Sequence, residues 1–398
     1  MTDRIDTDIL IVGGGLAGLT LTARLAAEGL DVTCIDAGAA PSPDMAGRDQ
    51  RTTAILMPGI ETLRRSGAWD AIAPDAQPLH GMRILDCGGK DTAPRDEAHF
   101  DAAENGDDAF GWNVQNGLAR LALARHIGAQ DTARLMPDTR IDHWIARQDK
   151  VLATLSCGTR VTARLLVGAD GRGSVVRQKS GIGLRKWGYA QKALAARVEH
   201  TRPHDGISIE MHHVGGPLTF APLGPDDAGN NRSGLVWMNP DAEADRLAAL
   251  DDEAFLDELD RRSHGVYGKI TAAAPRALWP ATTQVATGLT ATRTALVAEA
   301  AHAFPPIGAQ GFNLSLRDVE GLATLCAAAD DPGGATVLAD YTRRRTPDIL
   351  ARTAGVDLLN RSVRSGLQPV RDIRRAGLSI LGRTPPLRRI AMKIGMGR

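Results

Sequence analysis

The feature that most constrains this chain is a glycine-rich turn set between a short aliphatic run and an apolar helix. Asp8 to Val12 (DILIV) leads into GGGLAG, with Gly13, Gly15 and Gly18 in the pattern G-x-G-x-x-G. The aliphatic run suits a strand buried in a parallel sheet. Leu16 to Glu28 reads as a helix closed by Gly29, and Asp31 to Asp36 as a second strand. One glycine permits the tight turn, the second lets backbone approach a pyrophosphate, and the third allows close helix–strand packing. Leu16 and Ala17 open a helix whose free N–H groups face that phosphate. Asp36 ends the second strand, where a carboxylate accepts hydrogen bonds from both ribose hydroxyls and repels a 2′-phosphate. The unit predicts a dinucleotide site and fits FAD and NAD alike.

The rest of the chain has the texture of a folded protein. Of its 398 residues, 43% are hydrophobic and 24% charged, which excludes global disorder and suits more than one lobe. Cys34, Cys87, Cys157 and Cys326 are scattered without metal spacing. They read as reduced thiols of a cytoplasmic protein. No secretory signal and no uninterrupted apolar span of membrane length is read. Neither a metal site nor a nucleic-acid partner is expected; His212-His213 lacks companion ligands.

Further helices are predicted near Ile60 to Arg65, Gly117 to His126 and Asp252 to Arg262. Strands are expected at Met82 to Asp86, Val151 to Leu155 and Arg160 to Ala169. Between about 182 and 285, alternation in Ala193 to Glu199, Ile207 to His212, Leu218 to Pro222 and Leu235 to Met238 predicts a mainly antiparallel sheet. From Asn313 the chain reads as largely helical.

Two further motifs bear on chemistry. Asp170-Gly171 follows the strand LLVGA; by itself such a pair is often only a turn. Ala298 to Asp318 reads AEAAHAFPPIGAQGFNLSLRD. Glu299 follows a strand, Thr294 to Val297, and places a carboxylate near sugar-alcohol hydroxyls. Pro305 and Pro306 stiffen a loop in which Gly308 and Gly311 leave room for a planar ring on the backbone. A helix from about Asn313 aims its positive end at that loop, where it stabilises negative charge on a reduced flavin. His302 reads as a structural or capping residue.

These three motifs, in this order, resemble the flavoprotein aromatic hydroxylases of the para-hydroxybenzoate hydroxylase fold, and among them the ubiquinone-biosynthesis hydroxylases. The resemblance spans about 5–360 and includes DQRTTAI, Asp49 to Ile55, and WNVQNGLARLAL, Trp112 to Leu123. It implies an α/β fold: a Rossmann-like FAD-binding domain with an inserted, mainly antiparallel β-sheet substrate domain and a helical C-terminus. The corresponding boundaries are 1–73, 112–181 and 286–340 for the FAD-binding domain, 74–111 and 182–285 for the substrate domain, and 341–398 for the helical region. Arg51 and Gln115 are implied to contact the adenosine–phosphate and ribityl regions of FAD, and Asp170 and Gly171 to serve both FAD and NAD(P)H. Pro306, Gly308, Gln310, Gly311, Phe312 and Asn313 are implied to meet the flavin. Many relatives have Gly-Asp where this chain has Ala298-Glu299, so the ribityl contact here shifts or passes through water.

The resemblance further implies hydroxylation of a polyprenyl-phenol in ubiquinone biosynthesis, with NADPH or NADH and O2, through a flavin C4a-hydroperoxide. Phe220 and Pro222 are expected to line the substrate pocket. Two other functions remain open: a non-catalytic flavoprotein that binds lipid or scaffolds an assembly, and an NAD-dependent dehydrogenase.

The tail is set apart by charge. Residues 361–398 hold ten Lys and Arg and one acidic residue, Asp372, a net +9 against −9 in the remainder. Val370, Ile373, Gly377, Ile380 and Leu381 follow helical spacing with Arg371, Arg374 and Arg375 off that face. Leu387, Ile390, Ala391 and Ile394 repeat the pattern with Arg388, Arg389 and Lys393. The tail is expected either to meet an anionic membrane surface, at its inner face, or to pack on its own domain or on another ubiquinone-biosynthesis protein.

Overall fold

Four aliphatic segments from distant parts of the chain form the centre of one parallel sheet. The computed structural model describes residues 3–89 and 92–396; Arg398, counted in the tail charge, lies outside them. Arg4–Val12 is flanked by Val32–Ile35 and Arg160–Gly168, and the latter pairs with Thr294–Leu296, all parallel. Ala133–Met136 extends one edge, and a hairpin, Ile141–Ala146 and Val151–Leu155, adds to Arg160–Gly168. Leu10, Ile11, Leu165 and Leu166 are wholly buried, each contributing about 1.5–3 kcal/mol by leaving water. The register sets Ile35, Val12, Gly168 and Leu296 in one row. The loops that follow, at Asp36, Gly13, Ala169 and Val297, therefore emerge side by side at the carboxyl edge, where open parallel sheets bind ligands.

A nine-stranded sheet covers that edge. Its order is His302–Ala303, Ala277–Ala286, Leu184–His200, Asn231–Pro240, Gly216–Leu223, Ile207–His213, Gly81–Asp86 and Asp96–Asp101, with Ile270–Ala273 also pairing with Leu184–His200. The pairing is antiparallel except between Ile207–His213 and Gly81–Asp86. Ala193 to Glu199 is thus the middle of a 17-residue strand, held along its length by three neighbours. The outer face, with Leu194, Phe220, Leu235 and Trp237, packs under helices Asp241–Ala249 and Asp252–Ser263. A small sheet of Thr52–Leu56, Gly111–Gln115 and Gln77–Pro78 meets the nine-stranded sheet at Gly216–Leu223. It is tied to the nine-stranded sheet by Asn113, whose Nδ2 donates to the Pro222 carbonyl at 2.8 Å.

The chain ends in helices Gln310–Ala327, Ala335–Arg364, Gln368–Arg383 and Pro385–Met396. The tail departs from its expected single apolar face. Leu378 and Leu381 pack with Met392 and Met396 on Ala98 and Phe100, whereas Ile373 and Ile380 are exposed. Arg374, expected off the apolar face, turns inward to the buried Asp86 at 2.8 Å. A buried carboxylate requires such a partner. No helix among the described residues is long and apolar enough to cross a membrane.

Candidate functional site

At the glycine turn, the protein fills some positions and leaves others open. A Cβ on Gly18 would lie 1.8 Å from the Gly13 carbonyl oxygen, and one on Gly13 would lie 2.3 Å from that of Ala169. A Cβ on Gly15 would meet nothing within 4 Å. Gly15 is also the N-cap of helix Leu16–Ala26, with no side-chain cap and no acidic residue in the first turn. Its N–H groups and positive end are available to an anion. Asp36 stands beside this turn. It accepts the Gly14 N–H, the Gly38 N–H at 2.8 Å and the more distant Arg120 guanidinium at 3.5 Å. A ribose hydroxyl would share a carboxylate already fixed by backbone. Arg120, absent from the sequence-based set, also donates to the Gly14 carbonyl at 2.8 Å.

Gln115 is buried, and its Oε1 accepts from Arg197 Nη1 at 2.7 Å. Arg197 belongs to the long strand of the nine-stranded sheet and also donates to Gln50 at 2.8 Å. Burial pushes its guanidinium below the ordinary arginine range, with the nearby Arg232 adding to the effect. Arg51 pairs with Asp49 at 2.7 Å and lies over the Trp279 ring at 5.6 Å. Burial of Asp49 opposes its ionisation, but the bonds from Arg51 outweigh this and hold the carboxyl below its usual range.

Asp170 uses one oxygen to cap the helix Val175–Lys179, accepting from Val175 N–H at 2.7 Å and Val176 N–H at 3.1 Å. Its other oxygen, Oδ1, is buried without a hydrogen-bond partner. Gly171 has φ 76° and open space at its Cβ position. Glu299, half-exposed, pairs with Arg172 at 3.0 Å. Arg177 joins the two loops by donating to the carbonyls of Ala300 and Arg172 at 2.9 and 3.0 Å.

The proline–glycine loop enters its helix at Gln310, three residues earlier than expected, through Ala309 in the left-handed region. Gly311, Phe312 and Asn313 thus lie in the first turn, which has neither a side-chain cap nor an acidic residue. The Asn313 amide is engaged with protein. Its Oδ1 accepts the Leu56 N–H at 2.8 Å, and its Nδ2 donates to the Ala54 and Ala309 carbonyls at 2.8 and 2.7 Å. Gln310 is held by Arg352 at 2.5 Å and by the Gly308 carbonyl at 2.9 Å. Pro306 is exposed and Phe312 half-buried. A Cβ on Gly308 would meet nothing closer than 3.9 Å, and one on Gly311 nothing within 4 Å.

Beneath this loop, His302 Nε2 lies 2.5 Å from Asp318 Oδ2, and Arg345 donates to Asp318 Oδ1 at 2.8 Å. Asp318 also accepts the Ala298 N–H at 3.0 Å. Burial opposes its charge, but His302 and Arg345 prevail and keep the carboxyl below its usual range. Helices Leu16–Ala26 and Gln310–Ala327 pack on each other, joined by Arg24 and Glu320 at 3.2 Å.

Phe220 does not face this cleft. It is fully buried in the outer core, 5.7 Å edge-on to Tyr267, and Pro222 shares its parity on the strand. Successive side chains alternate between faces, so Thr219 and Ala221, paired with Val236 and Gly234, belong to the inward face. His212, on the neighbouring strand, pairs with Glu210 at 2.7 Å.

These surroundings fit FAD: an open, uncapped helix end at Gly15, open backbone at Gly308 and Gly311, and an unpaired acceptor at Asp170. Comparison with known proteins agrees. The FAD binding domain family matches residues 6–353. The chain is 38% identical to the ubiquinone hydroxylase UbiL of Rhodospirillum rubrum, over 98% of this chain and 89% of that protein. It is 32% identical to the 3-demethoxyubiquinol 3-hydroxylase of Escherichia coli, over 98% of each. The fold superposes on p-nitrophenol 4-monooxygenase PnpA of Pseudomonas putida with a TM-score of 0.80, at 18% identity and 99% coverage of both chains. Matched along residues 6–353 and related at 38% and 32% identity over nearly its whole length, the chain belongs to the FAD-binding-domain family of flavoprotein monooxygenases, together with the ubiquinone-biosynthesis hydroxylases.

Proposed function

We propose that the chain hydroxylates the aromatic ring of a polyprenyl-phenol intermediate of ubiquinone biosynthesis, using FAD, NADPH or NADH, and O2. The observation that carries this reading is the open, uncapped helix end at Gly15 beside Asp36, at the carboxyl edge of the parallel sheet, in a chain related along nearly its whole length to ubiquinone hydroxylases. When bound, FAD supplies electron transfer from the nicotinamide and activation of O2. The residues of the chain bind, orient and exclude water. The helix end at Leu16 holds the pyrophosphate, with Asp36 at the ribose and Arg51 and Gln115 along the adenosine–phosphate and ribityl parts. Asp170, Gly171 and Glu299 complete the sugar side. The helix end at Gln310 faces the pyrimidine side, where a partial positive charge stabilises an anion by about 0.3–1 kcal/mol. Asn313 positions that helix against the strand at Ala54. The inward face at Thr219, Ala221, Val236 and Met238 keeps water from the ring, because a wet site would lose the oxidant unproductively.

In this reading 1–73, 112–181 and 286–340 bind the cofactor, 74–111 and 182–285 form the substrate part, and 341–398 is the helical region. Anaerobic and aerobic NAD(P)H oxidation by the purified flavoprotein tests it. A polyprenyl-phenol should stimulate consumption and yield ring-hydroxylated product carrying oxygen from O2, and a strain lacking the gene should accumulate the unhydroxylated precursor. A yellow protein whose NAD(P)H consumption ignores every such phenol would instead be a non-catalytic flavoprotein.

A further inference from the structure

The C-terminal helices present two apolar stripes, and the protein covers one of them. Leu378, Leu381, Met392 and Met396 form the inner stripe, packed on Ala98 and Phe100. The outer stripe is Ile373, Ile380, Leu387, Ile390 and Ile394, with Ile373 73% and Ile394 67% exposed. Ile373 and Ile380 are seven residues apart, and Leu387, Ile390 and Ile394 are separated by three and four, so each set lies on one helix face. Packing of the tail on its own domain therefore leaves these side chains unexplained, and large apolar side chains repeated along exposed helix faces mark a contact.

The cations divide in the same way. Arg374 and Arg388 turn inward to Asp86 and Glu104, each at 2.8 Å, and Arg371 donates to the Gly88 carbonyl. Arg383, Arg389 and Lys393 are exposed, and no carboxylate pairs with them among the described residues. Arg375 reaches Asp96 only at 3.7 Å. An outer face of aliphatic side chains edged by unpaired cations complements an anionic lipid surface. A second copy fits poorly, because a two-fold contact would bring the same cations together. A protein partner is disfavoured by the lack of aromatic anchors on the stripe.

We propose that this outer face lies in the headgroup–acyl boundary of an anionic bilayer, with Ile373, Ile380, Leu387, Ile390 and Ile394 immersed and Arg383, Arg389 and Lys393 at the headgroups. Its purpose, delivery of a lipid-dissolved substrate, rests on the polyprenyl-phenol reading; the contact itself does not. Flotation of the full flavoprotein with vesicles of phosphatidylglycerol and phosphatidylethanolamine tests it, alongside I380D/I390D/I394D and R383E/R389E/K393E. The parent protein should float with these vesicles, less with phosphatidylcholine alone and less at high salt. Each triple variant should lose about tenfold in bound fraction while keeping its flavin and its size-exclusion profile. Failure of the parent to float, or flotation unchanged in both variants, overturns the proposal. So does a parent dimer that the apolar variant disperses, which would make the face a self-contact. Flotation with no phenol-stimulated NAD(P)H oxidation would leave the lipid contact standing and remove the hydroxylase reading.

Discussion

Gly15 and Gly18 sit three residues apart and answer to different neighbours. Gly18 has none to spare, with the Gly13 carbonyl where its Cβ would be, whereas Gly15 faces open space with φ −74°. Gly18→Ala should therefore destabilise the fold by about 1–3 kcal/mol through overpacking, read as a lower Tm with or without FAD. Gly15→Val should destabilise the flavin-free protein less than Gly18→Ala does, by about 1 kcal/mol or less through the poorer helix cap, and weaken FAD binding at least about tenfold in a fluorescence titration. Equal effects of the two substitutions on the flavin-free protein would refute this division of labour. Asp318 gives a second test. Its carboxylate joins His302, Arg345 and the Ala298 N–H with no exposure to solvent. Asp318→Asn should cost about 3–5 kcal/mol, the usual result of removing one partner from a buried ion pair, in denaturant unfolding. A loss under about 1 kcal/mol would mean that the cluster does not hold the loop.

At the scale of elements, the strand Ile207–His213 carries a pH liability. His213 is buried with both ring nitrogens unpartnered. Burial above all, with the Arg262 charge adding to it, pushes its imidazole down to about 3. An unfolded histidine titrates near ~6.5, so the unfolded chain binds the extra proton between these values and stability falls as pH drops through that window. From pH 6.5 to about 5 the parent should lose about 2 kcal/mol more than His213→Leu. Parallel unfolding curves for both proteins at the two pH values would contradict this. The same scale shows what the sequence made legible. The first strand, its helix and the glycine turn were readable because close backbone approach demands glycine at fixed spacing. Asn313 was visible as a site residue, but its engagement with Leu56, 257 residues earlier, depends on which strand is brought beside it. Likewise nothing local links Arg197 to Gln115. Alternation around Phe220 revealed a strand with two faces, and because both faces are covered it could not say which meets the cofactor. In the tail, inner and outer apolar stripes lie close enough on the helix to read as one.

At the scale of the whole molecule, the register row of Ile35, Val12, Gly168 and Leu296 converts four distant segments into one edge. Packing of helix Leu16–Ala26 on Gln310–Ala327 brings two uncapped N-termini into the same assembly, and the nine-stranded sheet roofs the space through Asn113 and Arg197. In the proposed function, one anionic, planar dinucleotide serves both glycine turns. Titration of FAD into the deflavinated, folded chain, followed by flavin fluorescence and by Tm, measures this most directly. Saturation at one FAD per chain, with a rise in Tm that Gly15→Val suppresses, is the predicted result. A folded chain that takes up no flavin, or binds it equally well after Gly15→Val, would contradict the shared site.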